Sequence, residues 1–97
     1  MKQSDITTNW ARFLSIMQSN DDTDSLANLL NFLLTHDERA MIATRLLLTK
    51  ELLQKKRSQR DIAATFGISI AMITRGSNEL KRLTDEQKSE LETLFDA

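Results

Sequence analysis

The residues of this 97-residue chain that could do chemistry are basic side chains concentrated in its second half. Between Lys50 and Arg82 there are eight basic residues against three acidic ones, a net charge of +5, whereas the rest of the chain carries −6. Such a segment can neutralise phosphates, and arginine can also bind the edge of a guanine base. The overall charge of −1 therefore conceals a region suited to nucleic acid. A run such as Lys55–Arg57, taken alone, could equally be solvated helix surface.

Side chains for other kinds of chemistry are scarce. The chain has one histidine and no cysteine, and it contains neither a histidine–acid–nucleophile spacing nor a phosphate-cradling glycine loop. We therefore expect no enzymatic activity, no catalytic or metal-ligating residues and no enzyme cofactor. The N-terminus lacks the apolar stretch of a signal peptide, and no run of about 18 apolar residues could cross a bilayer. We expect a cytoplasmic protein that has no membrane partner.

The segment Ser58–Arg82 predicts a helix-turn-helix, two short helices separated by a tight turn. Ser58 and Ser69 can each cap the start of a helix, and Gly67 lies where the first helix would end in a left-handed residue. The small side chain of Ala63 would let the two helices approach closely. The alternative is a plain hairpin of two helices that does not bind DNA.

The remaining sequence predicts helices throughout, in one domain over residues 1–97. Strand signals are absent, because there is no proline or tyrosine, no sustained alternation of apolar and polar residues, and only two glycines. Two capping boxes, Thr35–Glu38 and Thr84–Gln87, mark the starts of later helices. The six predicted helices cover residues 6–19, 24–34, 35–55, 58–66, 69–82 and 84–95, with the helix-turn-helix at residues 58–82.

The first two predicted helices carry more apolar surface than a short chain can readily cover. The first has one apolar stripe, comprising Trp10, Phe13, Leu14 and Met17, and the second is leucine-rich on most sides. The second and third helices meet almost without a loop, so neither can easily cover the other's leucines. We therefore predict an all-α, six-helix intertwined homodimer, which also suits a helix-turn-helix that reads two half-sites. The alternative is an extended monomer with an exposed leucine surface, which soluble proteins rarely tolerate.

Three sequence strings are more specific than these patterns: ITRGSN at residues 73–78, LLTHDERAMIATR at 33–45 and SQRDIA at 58–63. With them the chain closely resembles the bacterial Trp repressor family from Trp10 onward. The resemblance implies a homodimer that binds L-tryptophan as corepressor and then represses operators of tryptophan biosynthesis or transport genes. One alternative is a DNA-binding protein of the same fold with a different small-molecule corepressor or none. A purely structural dimerisation protein is another, although the +5 segment would then have no purpose.

The resemblance also implies where tryptophan binds. It places Arg45 and Arg75 in the pocket, where two guanidinium planes can sandwich an indole and pair with a carboxylate. Backbone carbonyls of Phe32 and Leu34 from the partner chain would accept from the amino group. The other expected pocket residues are Thr35, Gly76 and Glu79. Without the resemblance, Arg45 could be a surface arginine or the ion-pair partner of an acid such as Glu38.

The DNA-binding residues are expected on both helices of the helix-turn-helix. Arg60 is our choice for a direct guanine contact, since its fork of donors matches O6 and N7. The start of the recognition helix, at Ile70, Ala71 and Met72, would face base edges. Residues suited to phosphate contacts are Thr74, Ser77, Asn78 and Lys81, with Gly76 allowing close approach of the backbone. Taken singly, Thr74 and Ser77 could be ordinary surface residues.

Four positions depart from the family's pattern. Glu79 stands where a serine is common, so its carboxylate could pair with the ligand's ammonium, repel its carboxylate or point to solvent. Met72 replaces a common threonine, and Ala63 occupies a position where some members carry a lysine. His36 stands where a proline often begins the long helix. Ligand selectivity and operator preference are therefore where this chain is expected to differ.

Overall fold

The computed structural model describes residues 1–96, and these form six α-helices. In chain order they are α1 (Gln3–Ser19), α2 (Thr23–Leu33), α3 (His36–Gln54), α4 (Gln59–Phe66), α5 (Ile70–Lys81) and α6 (Asp85–Asp96). No strand occurs in this part of the chain, which confirms the all-α prediction. None of these helices has the length and apolar character that a membrane span requires.

Most helix boundaries differ by one residue from the predicted ones. The exception is α1, which begins at Gln3 rather than Ile6 because the Asp5 carboxylate accepts a hydrogen bond from the backbone N–H of Lys2 at 3.1 Å. Contacts within the chain define two compact units, Met1–Arg39 and a second that begins at Ala40. A single domain over residues 1–97, whose last residue lies outside the described part, stays a prediction.

The first unit consists of α1, α2 and the start of α3, and its apolar side chains are largely uncovered. No residue of α1 or α2 is buried. Trp10 and Phe13 stack with their ring centroids 5.3 Å apart, but Trp10 remains exposed. Phe32, at the end of α2, is 87% exposed. This is the surface that the predicted second chain would cover, and it supports the dimer hypothesis without testing it.

The start of α3 has the predicted capping box. The backbone N–H of Thr35 donates to the Glu38 carboxylate at 2.8 Å, and the N–H of Glu38 donates to the Thr35 hydroxyl at 3.1 Å. Hydrogen bonding of its carboxylate to the Thr35 backbone, and to a smaller extent to the Thr35 side chain, lowers the pKa of Glu38 because it stabilises the charged form. The guanidinium of Arg39 donates to the Leu34 carbonyl at 2.7 Å. The turn from α2 into α3 is therefore held by local hydrogen bonds.

The second unit has a small apolar core beneath the helix-turn-helix. Its four buried residues come from α3, α4, the turn and α5, and are Leu48, Ile62, Ile68 and Ile73. Partly buried side chains pack around them, namely Leu47, Leu52, Ala63 and Met72. Burying each such aliphatic side chain contributes roughly 1.5–3 kcal/mol relative to exposure. This core holds both helices of the helix-turn-helix against α3.

The helix-turn-helix has the predicted caps and turn. The Ser58 hydroxyl accepts from the N–H of Asp61 at 3.1 Å, and the Ser69 hydroxyl accepts from the N–H of Met72 at 3.2 Å. Gly67 ends α4 in the left-handed region, with φ 67° and ψ 32°. A residue with a side chain would lose about 1–2 kcal/mol in that conformation. The prediction of two helices about a single glycine is thus confirmed.

Candidate ligand pocket and DNA-binding face

A pocket of about 920 Å³ lies between α3, α5 and α6, behind the helix-turn-helix. Small-molecule sites commonly span roughly 300–1,000 Å³, so a ligand of amino-acid size has ample room. One face of α3 lines it through Met41, Arg45 and Thr49, which are four residues apart. The apolar residues of α6 form the opposite wall: Leu91, Leu94 and Phe95. The enclosure is therefore mainly hydrophobic, with a few charged groups.

Four of the predicted ligand residues come together in this pocket. Arg45 from α3 and Arg75, Gly76 and Glu79 from α5 all line it. Within residues 1–96 neither Arg45 nor Arg75 takes part in an ion pair, which argues against the ion-pair alternative for Arg45. Two uncommitted guanidinium groups beside apolar walls suit a ligand that has an aromatic ring and a carboxylate.

The carboxylate of Glu79 is held at the edge of the pocket by an ion pair. Its Oε1 accepts from the guanidinium of Arg82 at 3.2 Å, one helical turn along the chain. Both side chains are well exposed, and such pairs contribute at most about 1 kcal/mol. A ligand ammonium could therefore compete for the carboxylate. The three alternatives for Glu79, which are attraction of an ammonium, repulsion of a carboxylate and solvation, remain open.

Gly76 allows close approach, but the neighbour that approaches is α3. A methyl group placed on Gly76 would lie 3.1 Å from the Cδ2 atom of Leu48 and 3.5 Å from the Cδ1 atom of Leu52. The first distance is tighter than ordinary van der Waals contact, so even a methyl group would require the Leu48 side chain to shift by a few tenths of an ångström. Close approach of Gly76 to a DNA backbone stays a prediction.

The opposite side of α5 presents a polar and apolar stripe to solvent. Its exposed members are Ile70, Ala71, Thr74, Asn78 and Lys81, and Ser77 beside them is half-buried. Their spacing of one, four, seven, eight and eleven residues from Ile70 places them on one face of the helix. Ile73, between them in sequence, is fully buried on the other face. Arg60, in the first turn of α4, is also exposed.

Met72 differs from the other residues assigned to base edges. It is half-buried, packs against the core cluster and lines the pocket. The two residues before it, Ile70 and Ala71, are exposed. A base contact by Met72 stays a prediction, and this placement disfavours it.

The three remaining predicted ligand residues belong to the first unit. Phe32 is in the last turn of α2, and Leu34 follows that helix. The Leu34 carbonyl already accepts from Arg39, and Thr35 is engaged in the capping box. Their roles toward a ligand stay predictions.

Sequence reasoning missed most of the pocket wall. The helical spacing of four residues could have identified some of it, since Met41 and Thr49 flank Arg45 on one face of α3, and Met72 and Leu80 flank Gly76 on α5. The apolar residues of α6 were recognisable, but nothing in the sequence indicates which helix they face.

An exposed face on the second helix of a helix-turn-helix, with a pocket lined by two arginines on its other side, suits a DNA-binding protein that a small ligand regulates. Comparison with known proteins agrees: residues 8–95 match the model of the Trp repressor protein family. The chain belongs to the Trp repressor family, a family of regulatory DNA-binding proteins rather than enzymes. The resemblance found in the sequence is thereby confirmed.

Similar proteins from Vibrio and Aliivibrio species match most of this chain. A Trp operon repressor homolog of Vibrio campbellii is 40% identical over 87 residues, which is 90% of this chain and 87% of the relative. One from Vibrio vulnificus is 38% identical over 96 residues, 99% of this chain and 94% of the relative. One from Aliivibrio fischeri is 40% identical over 81 residues, with 84% and 75% covered. The likeness thus extends over most of each relative as well as most of this chain.

Proposed function

We propose that this chain is a transcriptional repressor that binds operator DNA as a homodimer when L-tryptophan occupies the pocket of Arg45 and Arg75. Family membership and the name shared by its relatives support this function. The observation that carries this proposal is that one face of α5 lines the pocket and the opposite face is exposed to solvent. Arg75 lines the pocket, whereas Thr74 beside it is exposed on the face that would meet DNA.

The pocket has the chemistry that tryptophan needs. The apolar walls would bury the indole, and the guanidinium groups of Arg45 and Arg75 would stack on its faces and pair with its carboxylate. Each stacking contact contributes roughly 0.5–2 kcal/mol, depending on how much water is excluded. Glu79 would then attract the ammonium group. Carbonyls of the partner's Phe32 and Leu34 would complete the site.

Regulation follows because the ligand binds preferentially to one orientation of the two helix-turn-helix segments of the dimer. Tryptophan braced between α3 and α5 stabilises the orientation of α5 in which both recognition helices of the dimer enter successive major grooves. Helix-turn-helix dimers, the Trp repressor among them, read half-sites about 34 Å apart, so small rotations of α5 matter. By linkage, operator DNA must raise tryptophan affinity by the same factor as tryptophan raises operator affinity.

On the operator, the exposed residues of the helix-turn-helix take two roles. Arg60 contacts a guanine, and Ile70 and Ala71 contact base edges in the major groove. The groups that contact phosphates are Thr74, Ser77, Asn78 and Lys81. Because operators are chromosomal, the protein acts in the bacterial cytoplasm.

The dimer is supported by the apolar surface that a single chain leaves uncovered. Phe32 and Leu33 of α2 are exposed, as are Met41, Ile42 and Leu46 of α3. A partner chain whose α1 and α2 cover these residues removes an apolar surface that a soluble monomer would rarely keep. Sedimentation equilibrium tests this directly, and a monomer at micromolar concentration would overturn it.

The function is tested by titrating a labelled duplex with protein, with and without L-tryptophan, at two salt concentrations. The duplex is one that the protein itself enriches from a random pool in the presence of tryptophan. We expect tighter binding with tryptophan and a steep fall in affinity with salt, because several phosphates are neutralised. Binding that tryptophan does not change would contradict the corepressor assignment, and no binding under any condition would favour a purely structural protein.

A second function is a repressor of the same fold with another corepressor or none, and the observation that favours it is Glu79 in the pocket lining. Calorimetric titration with the free aromatic and aliphatic amino acids distinguishes the two. Tightest binding of tryptophan supports our proposal. Tighter binding of a cationic amino acid would show that the carboxylate of Glu79 sets a different specificity.

A further inference from the structure

One charged residue is buried in the second unit, and it holds the connection that leads into the helix-turn-helix. Glu51, in the last turn of α3, is 4% exposed. The guanidinium of Arg57 donates to its carboxylate and forms an ion pair. Arg57 lies in the four-residue connection between α3 and α4, after Lys55, whose φ of 55° turns the chain away from α3. A buried carboxylate needs such a partner, because it has lost its hydration.

The same guanidinium lies over an aromatic ring at the other end of α4. The Cζ atom of Arg57 is 5.3 Å from the centroid of the Phe66 ring, within the range of a cation–π contact. Phe66 is the last residue of α4 and directly precedes Gly67 of the turn. Arg57 therefore joins α3, through Glu51, to the point where the helix-turn-helix changes direction. We call these three residues the Glu51–Arg57–Phe66 clamp.

The clamp adds to the attachment that the small core provides. An eight-residue helix such as α4 is about 12 Å long, and its first end is tied to α3 by the chain itself. Ile62 anchors its middle in the core. The second end leads directly into the turn, where Ile68 is buried in the same core, and the contact of Arg57 with Phe66 is an additional attachment of that end. Loss of that contact would loosen the end of α4 and, with it, the start of α5.

We propose that Arg57 is a positioning residue that sets how often the ligand-free protein holds α5 in the orientation competent for tryptophan and operator. This inference rests on the proposed function. It assigns Arg57 a role different from that of its neighbours Lys55 and Lys56, which contact neither Glu51 nor Phe66 through an ion pair or cation–π contact within residues 1–96. Arg57 is 44% exposed, but its guanidinium is already committed on two sides.

A positioning role has a distinctive signature in ligand binding. When only a fraction of molecules is competent, the apparent dissociation constant equals the intrinsic one divided by that fraction. Weakening the clamp lowers the fraction, so more tryptophan is needed, but saturating tryptophan restores the competent state. A direct phosphate contact behaves differently, since its loss weakens operator binding at every tryptophan concentration and reduces the salt dependence.

Two variants test the clamp without leaving a buried charge unpaired. Phe66→Leu removes the aromatic face and keeps an apolar side chain. The double substitution Glu51→Gln with Arg57→Gln replaces the ion pair by two amides and leaves the net charge unchanged. Lys56→Gln is the matched control, because it removes a neighbouring charge outside the clamp. Each full-length protein is titrated with tryptophan on the selected duplex at two salt concentrations, and its amide hydrogen exchange and melting temperature are measured without tryptophan.

For both clamp variants we expect the tryptophan concentration at half-maximal operator binding to rise roughly two- to fivefold, the size of an exposed cation–π contact. Operator affinity at saturating tryptophan and its salt slope should equal those of the parent, and amides of α4 should exchange faster. Lys56→Gln should leave the tryptophan requirement and this exchange unchanged.

Each other outcome contradicts the proposal. An unchanged tryptophan requirement with unchanged exchange would show that the clamp does not position the helix. A salt slope reduced by about 0.9, with weaker binding at saturating tryptophan in the double variant, would make Arg57 a phosphate contact. A lowered melting temperature alone would make the clamp structural. If the parent shows no tryptophan response, the proposed function fails, and exchange in α4 still decides whether the clamp holds the helix.

Discussion

Replacing Arg45 by alanine should separate tryptophan binding from folding. Arg45 lines the pocket, is exposed and takes part in no ion pair within residues 1–96. Substitution of such a surface residue changes the free energy of unfolding by at most about 0.5 kcal/mol. The folded protein should therefore remain intact while one wall of the ligand site loses its charge.

The loss of ligand affinity can be estimated from the two contacts that Arg45 would make. A cation–π contact with an indole contributes about 0.5–2 kcal/mol, and a hydrogen bond to a carboxylate about 1.5–3 kcal/mol. Losing both costs at least about 2 kcal/mol, which corresponds to a dissociation constant raised at least roughly 30-fold. Tryptophan should then no longer strengthen operator binding at concentrations that saturate the parent.

Calorimetry measures the tryptophan affinity, and urea unfolding measures stability in the same preparations. Lys50→Ala is the control, since it removes a positive charge from α3 outside the lining of the large pocket. A dissociation constant for Arg45→Ala within threefold of the parent would refute the assignment of Arg45 to the ligand. An equal loss of tryptophan affinity in the Lys50→Ala protein would show that the loss of positive charge, and not the loss of a contact with the ligand, weakens binding.

Three further predictions concern the core, the DNA-binding face and the start of α3. Ile73→Ala should lower the free energy of unfolding in urea by about 2–5 kcal/mol, because Ile73 is fully buried, and a smaller loss would mean that the core collapses around the cavity. Lys81→Gln should reduce the salt slope of operator binding by about 0.9 and leave tryptophan affinity unchanged; an unaltered slope would remove Lys81 from the phosphate contacts. The lowered pKa of Glu38 means that its contribution to stability is present above the ordinary glutamate range, near pH 4.3, and is lost as the pH falls through the folded value. The urea midpoint of Glu38→Gln should therefore change less between pH 5 and pH 3 than that of the parent, and equal changes would contradict this.

Much of the fold could be predicted from local sequence because local hydrogen bonds determine it. The caps at Ser58 and Ser69 and the left-handed Gly67 involve residues within four positions of each other, and all three were predicted. The capping boxes at Thr35 and Thr84 were predicted for the same reason. The resemblance to the family then named Arg45 and Arg75, which the structure brings into one pocket.

The features that sequence reasoning did not find depend on contacts between helices. The side of α5 on which Met72 lies follows from packing against α3 and α4, and a helical pattern allowed either side. Glu51 lies in a basic segment of the sequence, yet it is buried and paired with Arg57, a contact that the sequence does not indicate. The partner of Gly76 likewise depends on where the leucines of α3 lie.

The uncovered surfaces of α1 and α2 make the stability of this protein depend on its concentration in the cell. Since no residue of either helix is buried within the chain, the stability of that half is best supplied by association with a second copy. Folding of the proposed homodimer would obey mass action, so each tenfold dilution would lower its stability by about 1.4 kcal/mol. Abundance would then act as a second input beside tryptophan, because a scarce repressor would be both less occupied at its operator and less folded.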